Sequence, residues 1–217
     1  MVLSLSPGPA PVEEHEHLAA HANLWRMTGD FWDEWEKLYA MFERCYAWQE
    51  YVQPGAWPDC DMLPLGRIGK HFGQERATLF TPDEQKTMMT LWCIFGSPLM
   101  LGAELTKLDD WTLSLLQNKK LLRLENGHFV SRQVLRSKEK CVWAAVDPQT
   151  GERYVALFNF SETAKTIHIS PAECAAAFPE GWVCPEEGTW EEVWSGNQSD
   201  KIGGEVAPHG ALLFHRS

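Results

Sequence analysis

Four apolar-led residues, Leu24 to Met27, run out at Asp30 into a helix-period pattern, and this handover constrains the fold more than any other stretch. A run that short is strand-sized. From Phe31 onward Trp35, Leu38, Phe42 and Cys45 return at helical intervals, with Asp33, Glu34, Glu36, Lys37, Glu43 and Arg44 mostly on the opposite side. Such a helix packs one face on a sheet, so the stretch reads as a βα unit. In parallel α/β folds the carboxyl ends of the strands are where functional groups collect. Arg26 and Asp30 stand at such an end, and Asp30 is the first candidate for a catalytic carboxylate.

The same alternation runs from residue 1 to about 125. Met1 to Leu5 reads as a buried strand closed by Ser6-Pro7-Gly8-Pro9, and Pro11 to Ala22 as a helix with Glu13 and Glu14 in its first turn. Trp57 to Leu63 reads as extended, which points Asp59 and Asp61 to one side. Lys70 to Leu79 reads as a loop. Thr81-Pro82-Asp83-Glu84 is a capping-box helix start, and that helix ends near Gly96. Pro98 to Leu101 is a further short strand, and Lys107 to Leu124 a further helix with Leu113, Leu116 and Leu121 inward.

After Gly127 the texture changes to strand-like runs at Cys141–Val146, Tyr154–Phe160, Lys165–Ile169 and Ala211–Phe214, the first two joined by a turn over Asp147 to Gly151. The chain therefore divides into an α/β region, residues 1–126, and an antiparallel all-β domain, residues 127–217.

Charge and composition narrow the partners. A net charge of −11, from 19 Lys and Arg against 30 Asp and Glu, argues against nucleic acid, which needs a basic face. No apolar run reaches the ~20 residues of a bilayer span, so no membrane partner is expected. The first residues lack the basic flank of a signal peptide. They read as an internal start, which implies a secreted or periplasmic protein if the native N-terminus lies upstream and a cytoplasmic one otherwise. The 11 tryptophans can fill a core or stack on sugar rings. His17 and His21 share a helix face, but nothing completes a metal site around them, so no metal and no cofactor is expected. The six cysteines have no zinc-like spacing; Cys174 and Cys184 are the pair best placed for a disulfide, and free thiols are the default.

Three motifs in order carry a resemblance: Asn23-Leu24-Trp25-Arg26 with Asp30; Pro54-Gly55-Ala56-Trp57-Pro58-Asp59-Cys60-Asp61-Met62-Leu63; and Leu91-Trp92-Cys93-Ile94-Phe95-Gly96-Ser97-Pro98-Leu99-Met100-Leu101-Gly102. Followed by Pro208-His209-Gly210-Ala211-Leu212-Leu213, they resemble the melibiase-type α-galactosidases, glycoside hydrolase family 27. The resemblance implies a (β/α)8 barrel, here about its last four βα units, followed by an antiparallel β-sandwich. It implies cleavage of terminal α-galactose-type sugars with retention, which uses two carboxyl groups about 5 Å apart. It gives Asp30 the acid/base role, Arg26 contact with the sugar or with the carboxylates, Asp61 and Met62 substrate contact, and Asp59, Trp25 and Trp57 supporting roles.

Two departures follow. The family's nucleophile is an aspartate in a Lys-x-Asp motif at an earlier strand end, and nothing in this chain matches it. A full barrel takes about 250 residues, roughly twice what the α/β region holds, so this chain is expected to carry the acid/base half of a site and to be inactive alone. Its partner would be an N-terminal half barrel or a second copy. The second departure is the loop from Ser6 to Ala10, which is smaller than its counterpart in galactose-specific members; Ser6 is expected to border the sugar's 2-position and to leave room for a bulkier substituent or a different glycoside. The alternative is a non-catalytic carbohydrate-binding or scaffold protein derived from a half barrel.

Overall fold

The computed structural model describes residues 1–69, 73–126, 128–178 and 188–217. Cys184, half of the expected disulfide candidate, lies outside them, as do Lys70 to Phe72 of the expected loop. The chain forms two compact units, Met1–Glu125 and Asn126–Ser217.

The first unit runs β1 (Ser4–Leu5), a 3-10 turn (Val12–Glu14), α1 (His15–His21), β2 (Leu24–Arg26), α2 (Trp35–Trp48), β3 (Trp57–Asp59), β4 (Arg67–Ile68), β5 (Arg76–Ala77), α3 (Pro82–Phe95), a 3-10 turn (Leu105–Lys107), α4 (Asp110–Leu116) and α5 (Lys119–Glu125). Strands β1, β2 and β3 lie side by side and parallel, with Leu5 opposite Trp25 and Arg26 opposite Asp59. That register brings the ends of β2 and β3 level, which is what assembles the site. A fourth parallel contact is a single bridge, Leu63 to Leu101. The strand expected over Pro98–Leu101 contracts to this pair, held by Leu63 N–H on Met100 O and Gly102 N–H on Leu63 O; Pro98 has no N–H to extend the ladder.

Other expectations are corrected by side-chain chemistry. Met1, Val2 and Leu3 are exposed rather than a buried strand. Helix α2 begins at Trp35 instead of Phe31, and buries Leu38, Met41, Phe42, Cys45 and Trp48. The single helix expected over Lys107–Leu124 is two, because Asn118 Oδ1 accepts the N–H groups of Lys120 and Leu121 and so caps a new start. The break rotates the pattern: Leu115 and Leu124 are buried with Leu121, whereas Leu113 and Leu116 are only half-buried. The start of α3 is as read, with Thr81 and Glu84 bonding each other's backbone N–H groups at 2.8 and 3.2 Å, and its end is Gly96 at φ 85°. From Glu84 to Phe95 every residue except Lys86 is buried, so α3 is the unit's central helix.

The second unit contains β6 (Val130–Arg136), β7 (Lys140–Val146), β8 (Arg153–Asn159), β9 (Lys165–Ile169), α6 (Pro171–Ala175), β10 (Trp190–Glu192), β11 (Gln198–Ser199), β12 (Ile202–Val206) and β13 (Ala211–Arg216). One antiparallel sheet has the order β11-β10-β13-β8-β7-β6, and β9 and β12 form a second layer. Val142, Ala144, Val155 and Leu157 from the sheet meet Ile167, Ile169, Ile202 and Val206 from the ribbon in one apolar cluster. Their alternation along each strand is the signature of a sandwich interior. The β7–β8 turn closes as expected, with Asp147 Oδ1 accepting from Gln149 and Thr150 and Gly151 at φ 78°. No described helix is long and apolar enough to cross a membrane.

Candidate active site

Strand β2 delivers its side chains alternately. Trp25, fully buried, turns to the helix layer, where its ring lies 5.9 Å from that of Trp48. Arg26 therefore belongs to the other face, at the strand's exit. One guanidinium nitrogen bonds Asp30 Oδ1 at 2.7 Å and the other lies 3.6 Å from Asp61 Oδ1, so a single cation holds the carboxylates that follow β2 and β3. The Arg26 and Asp61 side chains are each 17% exposed, while that of Asp30 is 78% exposed. Asp30 thus presents its carboxyl outward from a fixed anchor.

Asp61 does not continue the strand. Its backbone sits at φ 75°, in the left-handed region that asparagine and aspartate tolerate best. Its N–H donates to Asp59 Oδ1 at 2.8 Å and its carbonyl accepts Trp92 Nε1–H from α3 at 3.2 Å. The extended reading of Trp57–Leu63 is thereby corrected: β3 stops at Asp59, and the two acids have different jobs. Asp59 is buried and its oxygen holds the turn; burial, reinforced by the neighbouring Asp61 charge, pushes its pKa above the usual carboxylate value despite that hydrogen bond. The free edge of Asp61 is fixed by Phe31 N–H, donated to Oδ2 at 2.8 Å. This bond ties the residue after Asp30 to the end of the neighbouring strand.

The loop that carries Asp30 is braced at its far end too. Asp33, read from the sequence as a solvent-face residue, is 4% exposed. Both its oxygens take the Arg76 guanidinium of β5, one at 2.8 Å, and it accepts Leu79 N–H as well. Burial raises the Asp33 pKa, but the Arg76 bond and charge with that N–H outweigh it and hold the carboxyl below its ordinary value. Arg44 of α2 closes the near end by donating to Met27 O at 3.0 Å.

Of the other expected site residues, Met62 packs so closely on Gly102 that a Cβ there would meet its sulfur at 2.7 Å. Ser6 is exposed, on a loop tied to the site by Ala10 N–H on Arg26 O at 3.2 Å. Trp57 is half-buried at the start of β3, its N–H on Asn23 O. The residues that sequence reasoning missed are Phe31, Asp33, Arg76 and Trp92; only Trp92 lay within a quoted motif, and its role there is an indole N–H. A Lys-x-Asp string does occur, Lys107-Leu108-Asp109, but Asp109 caps α4 by accepting Thr112 N–H at 2.7 Å and ends no strand. His17 and His21 stack with centroids 4.4 Å apart, His21 Nδ1 on His17 O, and no group of three His, Cys, Asp or Glu among the described residues is arranged to hold a metal.

The alpha galactosidase A family matches residues 6–127, and the alpha galactosidase C-terminal beta sandwich domain matches residues 138–215. A solved GH27 β-L-arabinopyranosidase from Geobacillus stearothermophilus is 44% identical, with a TM-score of 0.88 over 99% of this chain and 49% of its own. Alpha-galactosidase 2 of Arabidopsis thaliana is 24% identical over 88% of this chain and 46% of its own length. An alpha-N-acetylgalactosaminidase of Mus musculus is 26% identical over 60% of this chain and 31% of its own. The chain thus spans less than half the length of the curated relatives it matches. With both domain families in order, it belongs to the alpha galactosidase A family of glycoside hydrolases, GH27, and carries that family's C-terminal β-sandwich.

Proposed function

We propose that this chain supplies the acid/base half of a retaining glycosidase site for a terminal pyranoside of galacto configuration. Asp30 protonates the departing glycosidic oxygen and then takes a proton from water. Arg26 orients Asp30 and Asp61, Asp61 and Met62 contact the sugar, Ser6 borders its 2-position, and Asp59, Trp25 and Trp57 support them. The observation that carries this reading is the Arg26 bridge between the carboxylates at the ends of β2 and β3. The nucleophile comes from a segment outside these 217 residues, so turnover requires a complementary half barrel; the division at residues 126 and 127 separates catalytic and accessory domains.

The α-galactoside is the reading that family membership supports. A β-L-arabinopyranoside, the same ring without its exocyclic hydroxymethyl group, is favoured by the 44% identity to the Geobacillus enzyme. The test is hydrolysis of aryl α-galactoside and aryl β-L-arabinopyranoside by this chain co-expressed with the other half of that enzyme's barrel. Asp30→Asn should slow substrates with poor leaving groups far more than those with good ones, the mark of a lost general acid. Equal slowing of both classes removes Asp30 from that role. A non-catalytic binding protein would instead bind the sugar and hydrolyse nothing even when complemented.

A further inference from the structure

Cys45 of α2 and Cys60, directly after β3, come from different elements, yet their sulfurs lie 3.7 Å apart with both side chains fully enclosed. From this contact we infer that the pair is a redox-sensitive staple: in an oxidising medium it closes to a disulfide that ties α2 to the strand end carrying Asp59 and Asp61. The inference does not depend on what Asp30 does.

The other described thiols are placed differently. Cys93 lies beside the buried Glu125 carboxyl, Cys141 donates to Gln133 Oε1 at 3.2 Å, and Cys174 belongs to the apolar cluster of the second unit. Cys45 and Cys60 face each other instead. Sulfurs in van der Waals contact reach a disulfide bond length of about 2.05 Å when each moves by less than about 1 Å. The backbone on the β3 side is already fixed, since Cys60 N–H donates to Ser97 Oγ at 2.9 Å and Asp61 N–H to Asp59 Oδ1 at 2.8 Å.

Burial, with Cys45 alongside and the Asp59 charge adding to it, pushes the Cys60 thiol well above its ordinary range, although Ser97 pulls the other way. The thiolate is the reacting form. The folded, reduced pair is therefore slow to oxidise, and the bridge is set while the chain folds or opens. With oxidised glutathione as the oxidant, one cysteine thiolate attacks the glutathione disulfide and expels a glutathione thiolate. The second cysteine thiolate attacks the mixed disulfide at the protein sulfur and expels the other. The two thiol protons end on the released glutathiones, so one disulfide forms, one breaks, and two electrons pass from the protein to glutathione.

The test equilibrates the full chain at mildly alkaline pH in glutathione buffers of graded ratio, once refolded and once in concentrated urea. Acid quenching, alkylation and mapping of disulfide-linked peptides then give the effective concentration of the two thiols in each state. In urea only the length of the loop between them sets that value. In the folded chain the value should be at least about tenfold higher, because the sulfurs already touch. Dithiothreitol should reopen the bridge. The bridged chain should also unfold at higher urea than the reduced one, since easier closure in the folded state and resistance to unfolding are one linked free energy. Cys45→Ser should abolish both the bridged peptide and the gain in urea midpoint. Absence of a Cys45–Cys60 peptide from the folded chain, equal effective concentrations in the two states, or a bridged chain that unfolds no later than the reduced one overturns the staple. Should Cys45→Ser fail to fold, the comparison within the parent decides by itself.

Discussion

Glu125, the last residue of α5, is the clearest point at which this fold sets its own pH dependence. Its Oε1 is buried without a hydrogen-bond partner, and burial pushes the carboxyl up to about 8 against an ordinary value of 4.5, although the Cys93 thiol beside it pulls the other way. The Cys93 thiol is itself pushed up, first by burial and then by Glu125. The folded protein therefore keeps this proton over a range in which the unfolded chain has released it. Its contribution to stability is complete below about pH 4.5 and falls as pH rises towards 8. At about 1.4 kcal/mol per unit the loss is about 3 kcal/mol at pH 7. Glu125→Gln abolishes the titration, keeps an acceptor for the thiol and leaves an amide N–H in need of a partner, a cost of about 1 kcal/mol. The variant should be about 2 kcal/mol more stable than the parent at pH 7 and no more stable at pH 4. Urea unfolding of both proteins from pH 4 to 8 measures this. Parallel stability-versus-pH curves for the two would refute the argument, because they would mean that Glu125 is ionised in the folded state.

Arg76→Ala strips the buried Asp33 carboxylate of its counter-ion and should cost about 3 kcal/mol near neutral pH; the loss should shrink as pH falls through the depressed Asp33 pKa and the carboxyl becomes neutral in both proteins, which thermal melts at pH 3 and 7 would show. Gly102→Ala drives a methyl into the Met62 sulfur and should cost about 1–3 kcal/mol, and a melting temperature unchanged from the parent would show that the Met62 contact is loose. Thr81→Ala removes one side of the α3 capping box and should cost about 1 kcal/mol in chemical denaturation.

The order of elements was legible because it is written in period and punctuation. Leu24–Arg26, Trp35–Trp48 and the Thr81 capping box are local signals, and the structure has an element at each. The β7–β8 hairpin was legible for the same reason, since Asp147 and Gly151 are turn residues by their own chemistry. Strands β4, β5, β6, β10, β11 and β12 went unread: β4, β5 and β11 have two residues each, with β5 inside the stretch read as a loop, β6 is largely polar, β10 has three residues, and β12 carries two glycines, so each exists because a neighbour pairs with it. The boundary of α2 and the split at Asn118 were hidden because side chains, not propensity, set them. Asp33 shows the limit most plainly. Its position in the helical pattern says solvent, and only Arg76, 43 residues away, makes it a buried brace.

Within the site, Arg26, Asp30, Asp59 and Asp61 were named from motifs, while the division of labour between the two β3 acids needed the left-handed turn at Asp61. Local spacing cannot announce such a turn. Phe31 contributes through its backbone and Trp92 through a bond to a backbone carbonyl, and neither leaves a mark in the pattern of residue types. Cys45 and Cys60, distant in sequence, meet with their sulfurs 3.7 Å apart directly beneath this turn, and Ser97 Oγ accepts the Cys60 N–H at 2.9 Å. The site thus rests on packing assembled from three βα units.

The account turns on Asp30 acting as acid/base without a nucleophile in the same chain, and one measurement addresses both halves of that claim. Hydrolysis of aryl α-galactoside and aryl β-L-arabinopyranoside by the purified chain alone should show no turnover above the Asp30→Asn variant. Robust hydrolysis of either substrate, abolished by Asp30→Asn, would contradict it, because a complete site would then lie within these 217 residues.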